Sequence, residues 1–173
     1  MGYNMHLIEV GFSRAKSKTA ILSKAIQLAE KRPFSHAFIT FLEPKTQTKM
    51  VVQASHGMVN TCAYSHFLKE NVVVKRYLMN FTQAQFDIFW AKTLITLGIP
   101  YSLWQDVVIA FMKLFQCKKV FFINGSMAEI CSEWAAIVCS IYGIALPEIK
   151  DTITPSELEF ILSKSNLKCE EGA

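Results

Sequence analysis

The hydrophobic pattern of this chain changes period several times, and each change predicts a different element. His6-Leu7-Ile8-Glu9-Val10-Gly11-Phe12 reads as a first short strand. Across residues 17–32 the period lengthens. Leu22, Ala25, Ile26 and Ala29 form one helical stripe with lysines opposite, and Pro33 ends the helix. Residues 35–42 read as a strand with His36, Phe38 and Thr40 on one face. A polar hairpin loop over residues 43–49, containing Pro44, leads to a return strand over 50–54, where Val51 and Gln53 share a face and Val52 takes the other. Gly57 permits a bend, after which Met58 and Val59 continue the sheet. Residues 63–69 read as a short turn or helix, and 72–77 as a further strand.

From there the chain turns mainly helical. Thr82 with Gln85 three residues on is a capping box, and Phe81 with Phe86 fits a hydrophobic staple. The helix they open has Phe86, Phe89, Trp90, Thr93, Leu94 and Leu97 as its inner face, and it closes at Gly98 before Pro100. Ser102 with Gln105 can cap a second helix running to about residue 115. A short apolar run over 120–123 ends in Asn124-Gly125, a strong turn signal. Next comes a stripe of Cys131, Trp134, Ala135, Val138, Cys139 and Tyr142, the ladder of a buried helix face, stopped by Gly143. Ser126 with Glu129 is an alternative, earlier start for this helix. Thr154, Pro155 and Glu157 mark one more helix start, and the tail from residue 168 onward is expected to fray.

Strands first and helices afterwards, without repeat or linker, predict one α+β domain over residues 1–173 with a mostly antiparallel sheet packed against helices. Apolar residues make up 51% of the chain and charged residues 18%, which excludes an intrinsically disordered chain. The net charge of +4 comes from scattered residues rather than a stripe, so no nucleic-acid partner is expected. The apolar run over residues 107–123 is interrupted by Lys113, Gln116, Lys118 and Lys119, so no transmembrane segment is expected. No basic region followed by an apolar run opens the chain, which predicts no signal peptide and a cytoplasmic or virion-associated protein. The five cysteines are irregularly spaced and do not cluster with histidines at metal-binding spacing, so free thiols, no metal and no cofactor are expected.

Chemistry is concentrated at two places. Cys131 sits at or near the start of its helix, where the positive end of the helix dipole favours thiolate, the nucleophilic form. The same stripe also suits a plain core cysteine. A nucleophilic thiol needs a base, and His36 is the best candidate, since a polar residue facing inward among apolar strand neighbours requires a reason. His6, His56 and His66 are its rivals. The imidazole in turn needs a polar group to orient it. Gln53, on the strand that pairs with that of His36, is the natural choice, with His56 as the alternative.

Five segments in order carry a resemblance: Ser35-His36-Ala37-Phe38-Ile39, Val52-Gln53-Ala54, Gly98-Ile99-Pro100-Tyr101-Ser102, Cys131-Ser132-Glu133-Trp134 and Thr154-Pro155-Ser156-Glu157-Leu158. Together they resemble the circularly permuted papain-like hydrolases, the permuted branch of the NlpC-like cysteine peptidases. The resemblance implies Cys131 as nucleophile, His36 as base and Gln53 as the third polar residue, where other members carry Glu. It also implies a sheet that bears His36 and Gln53 and packs against the Cys131 helix, with Tyr101, Ser35 and Trp134 as candidates to line a substrate pocket.

Three readings follow. The first is a thiol peptidase or amidase acting on a peptide, including a peptidoglycan stem. The second is an acyl hydrolase or acyltransferase directed at lipid acyl groups, for which Phe111, Met112, Leu114, Phe115, Val120, Phe121 and Phe122 would supply an apolar approach. The third is a virion or scaffold protein that keeps the fold without catalysis, supported by an amide rather than an acid at position 53.

Overall fold

The first strand, β1 (His6–Ala15), is buried on both faces over residues 8–13, which is the environment of a central strand. The computed structural model describes residues 5–17, 21–55, 57–99, 131–146 and 153–172. After α1 (Ile21–Glu30), the strands β2 (His36–Leu42), β3 (Lys49–Ser55) and β4 (Met58–Ala63) run as a meander to one side of β1. A short helix, α2 (Tyr64–Glu70), then carries the chain to β5 (Asn71–Phe81), which pairs with the other side of β1. The strand β6 (Lys168–Glu171) pairs with β5. The result is a six-stranded antiparallel sheet of order β4-β3-β2-β1-β5-β6.

The helices α3 (Gln83–Thr96), α4 (Cys131–Tyr142) and α5 (Pro155–Ser163) share the main core with one face of this sheet. Ile8, Val10, Phe12, Ala37, Ile39, Phe41, Val52 and Ala54 meet Phe86 and Phe89 of α3, the apolar stripe of α4, and Leu158 and Leu162 of α5 there. The period of two in β1 to β3 sends the alternate residues to the other face, where Phe38 and Val51 pack with Phe67 of α2. Gly11 belongs to that second face. A Cβ at Gly11 would fall within the ring of Phe38, its partner in the β1–β2 register, so glycine is what lets the aromatic ring lie flat on the central strand. The α+β class with an antiparallel sheet against helices is therefore the one the hydrophobic pattern predicts.

Both capping boxes form. Thr82 accepts from the Gln85 N–H while Gln85 reaches back to the Thr82 N–H, and Thr154 and Glu157 do the same at α5, with Pro155 in the first turn. Gln85 has a second duty: its Nε2 donates to the carbonyls of Ile141 at 3.1 Å and Tyr142 at 3.3 Å, which ties the end of α4 to the start of α3. Gly143 adopts φ +102°, and the N–H of Ile144 bonds back to the carbonyl of Cys139 to close α4.

Several expectations need correction. The tail is not frayed: β6 pairs with β5 from Lys75 to Leu78, and Arg76 meets Glu170 at 3.1 Å. Leu94 is not on the inner face of α3; it is 53% exposed, while Thr93 and Thr96 are buried. Their hydroxyls donate to the carbonyls of Phe89 and Lys92, which makes a polar position compatible with burial. In α1, Ile26 is buried but Ala25 is exposed. The expected turn or helix over 63–69 is a helix, displaced by one residue to Tyr64–Glu70, and β4 and β5 extend further than their apolar cores suggest. The expected helix over 102–115, the Asn124-Gly125 turn and the earlier start at Ser126 fall outside the described residues.

Candidate active site

Three elements carry the candidate residues. His36 is the first residue of β2, Gln53 lies near the end of β3, and Cys131 lies in the first turn of α4. The antiparallel pairing of β2 with β3 sets the start of one beside the end of the other. The helix α4 packs against these same two strands.

The structure brings His36 and Gln53 together. The Nε2 of His36 lies 3.0 Å from Oε1 of Gln53. A carbonyl oxygen only accepts, so the imidazole donates through Nε2–H. A neutral ring with its proton on Nε2 has its lone pair on Nδ1, the state in which that nitrogen can take a proton. Gln53 is buried, and the nitrogen end of its amide lies 3.5 Å from Oδ1 of Asn60 and 4.0 Å from Sγ of Cys62. Asn60 is anchored in turn, because its Nδ2 donates to the carbonyl of Ser55 at 2.9 Å, to Ser55 Oγ at 2.9 Å and to the carbonyl of Met58 at 3.3 Å. Sequence reasoning missed Asn60 and Cys62. The signal was the β3–β4 register, in which Gln53 faces Asn60 and Val51 faces Cys62.

Cys131 is buried in the main core together with Ala37 and Ala54, the residues that follow His36 and Gln53 in the chain. Strand alternation turns His36 and Gln53 to the opposite face, beside the cluster of Phe38, Val51 and Phe67 against which Cys62 packs. Ser132, next to Cys131, is fully buried and donates to the carbonyl of Ile153 just before the α5 capping box, so the first turn of α4 is held from a second side.

Burial works against ionisation of two other described cysteines. Burial pushes the Cys139 thiol up to about 12. Burial, with the charge of Glu70 adding to it, also raises Cys62. Among the residues expected to line a pocket, Ser35 is buried and its hydroxyl shares a hydrogen bond with Ser23 at 2.6 Å. Trp134 is buried in the core, and its indole N–H has no partner among the described residues. Tyr101, the alternative orienter His56, and the apolar residues from Phe111 to Phe122 lie outside the described residues. The backbone just before Tyr101 is placed: Gly98 donates to the carbonyl of Val59 and Val59 donates to the carbonyl of Ile99, so this segment begins alongside β4 next to Asn60. No three His, Cys, Asp or Glu side chains among the described residues are grouped to hold a metal ion. No helix among them is long and apolar enough to cross a membrane. The chain matches no protein-family model and no curated protein.

Proposed function

We propose that this chain is a circularly permuted papain-like cysteine hydrolase that cleaves an amide bond in a peptide, with Cys131 as nucleophile, His36 as base and Gln53 as orienter. The observation that carries the reading is the hydrogen bond from His36 Nε2 to Gln53 Oε1, on the two strands against which the Cys131 helix packs. An imidazole held in this tautomer is prepared to accept a thiol proton at Nδ1.

The steps follow from these roles. On this reading His36 Nδ1 takes the proton of the Cys131 thiol, which requires the two side chains to meet at the open end of β2, as sulfur attacks the carbonyl carbon of the substrate amide. The tetrahedral species collapses to a thioester, and the C–N bond breaks as the imidazolium gives its proton to the departing amine. Water, deprotonated by the neutral imidazole, then attacks the thioester, releasing a carboxylic acid and restoring the thiol. Gln53 keeps the ring in register throughout and, as an amide, contributes no charge of its own.

The test is the pH dependence of Cys131 alkylation by iodoacetamide, with His36→Ala as control. Half-maximal reactivity well below the ~8.5 of a free thiol, moving upward in the variant, supports the pair. Reaction only at high pH and indifferent to His36 would overturn it and favour a non-catalytic protein of this fold. A screen of peptide amides, including peptidoglycan stem peptides, against lipid esters then identifies the substrate class, with Cys131→Ala as the inactive reference.

A further inference from the structure

We infer that Asn60 is a positioning residue: it decides which end of the Gln53 amide faces His36, and so which imidazole nitrogen is left to take a proton. The inference rests on the reading of His36 as the base and extends it by one more residue.

The argument is one of donor and acceptor polarity. The two ends of an amide side chain are nearly the same shape, so the surrounding groups determine its orientation. Asn60 Nδ2 faces the carbonyl oxygens of Ser55 and Met58. These oxygens accept only, so that end of Asn60 must be its NH2 and the opposite end its oxygen. Oδ1 of Asn60 is thereby presented to Gln53 at 3.5 Å. A reversed Gln53 would set two carbonyl oxygens against each other. The sulfur of Cys62, on the same side at 4.0 Å, is a weak acceptor and favours the same orientation. Gln53 Oε1 is left to face His36, and its acceptor character demands Nε2–H there. The contact between the two amides is long, so its polarity matters more than its strength.

The β3–β4 register makes Gln53 and Asn60 cross-strand partners, which keeps both side chains on one face of the sheet. The same polarity accounts for Gln rather than Glu at position 53. A glutamate would turn a carboxylate oxygen toward Asn60 Oδ1, which the backbone of Ser55 and Met58 prevents from turning away.

The experiment is long-range 1H–15N correlation of the histidine rings in the full chain, at a pH where His36 is neutral. The unaltered protein is expected to show His36 protonated at Nε2 alone. Asn60→Ala is expected to add a population protonated at Nδ1, with the ratio of the two forms shifted roughly five-fold, as for loss of one ordinary hydrogen bond. Asn60→Ser keeps a polar residue too short to reach Gln53 and should behave alike. A His36 ring protonated only at Nε2 in both variants overturns the inference, as does an unaltered protein protonated at Nδ1. A second check needs no variant. Nuclear Overhauser contacts from the Gln53 NH2 protons should reach Cys62 and Asn60; contacts to the His36 ring instead overturn the assignment. If Cys131 is unreactive while the tautomer still responds to Asn60, the hydrolase reading fails and this polarity stands.

Discussion

The Nε2 atom of His36 and the Oε1 atom of Gln53 lie 3.0 Å apart, so a histidine at the very start of a strand is held by an amide from the strand beside it. Replacing Gln53 with leucine keeps the volume and removes the acceptor. Iodoacetamide alkylation of Cys131 near neutral pH is expected to slow by roughly ten-fold, less than the ~10²–10⁴ associated with loss of a general base, because an orienter acts only through the base. His36→Ala should therefore be the more damaging variant in the same assay. Equal rates for the unaltered protein and Gln53→Leu would remove Gln53 from the site.

Gly11 faces the ring of Phe38 with no room for a Cβ. Gly11→Ala is expected to lower stability by about 1–3 kcal/mol, the usual range for overpacking. Urea unfolding reads this directly. Phe38→Leu in the Gly11→Ala background should recover part of the loss, since the two sites share one space, whereas additive losses would show that the ring is not what alanine meets.

Glu159 is buried on α5, where Lys75 lies at 2.8 Å, the Tyr77 hydroxyl at 2.9 Å and Arg32 at 3.7 Å. Burial works against its charge, but the bonds from Lys75 and Tyr77 and the positive charges outweigh it and hold the carboxyl below its ordinary 4.5. A carboxyl lowered in the folded state stabilises the fold above its unfolded value and loses that contribution as pH falls through its folded value. Thermal midpoints of the unaltered protein should therefore drop as pH falls below about 4.5. Glu159→Gln should be less stable at pH 7 by about 2 kcal/mol and show a weaker acid dependence. An acid profile identical to that of the unaltered protein would sink this account.

Removal of residues 168–173 deletes β6 and the Arg76–Glu170 pair. The truncated chain is expected to keep its fold but lose about 1–2 kcal/mol, with faster amide exchange in β5 around Lys75 to Leu78. Unchanged exchange in β5 would show that the pairing contributes nothing.

Much of this arrangement was legible because local signals sufficed. Alternation located β2 and β3, and the Thr82 and Thr154 capping boxes located α3 and α5. What escaped depended on partners distant in sequence. Lys168-Cys169-Glu170-Glu171 looked like a solvated tail, yet charges of this kind suit an edge strand, and their partner Arg76 lies far upstream. Leu94 was assigned inward by hydrophobicity, whereas the threonine hydroxyls of α3 bond to their own helix and so cost little to bury. The pairing of His36 with Gln53 was read correctly from strand order and face. Asn60 was not, because its role exists only once the β3–β4 register is fixed.

Of the six strands, the earliest in the chain lies at the middle of the sheet. Its partner β2 follows after α1, then β3 and β4 through short turns, while β5 has to return across the whole meander to reach it. In a chain emerging from the ribosome, contacts between near neighbours close soonest. His36, Gln53 and Asn60 thus belong to the part of the sheet able to assemble early, and Cys131 arrives on a helix made some seventy residues later. If the proposed roles hold, the order of synthesis offers the base a folded setting before the thiol that it would serve leaves the ribosome.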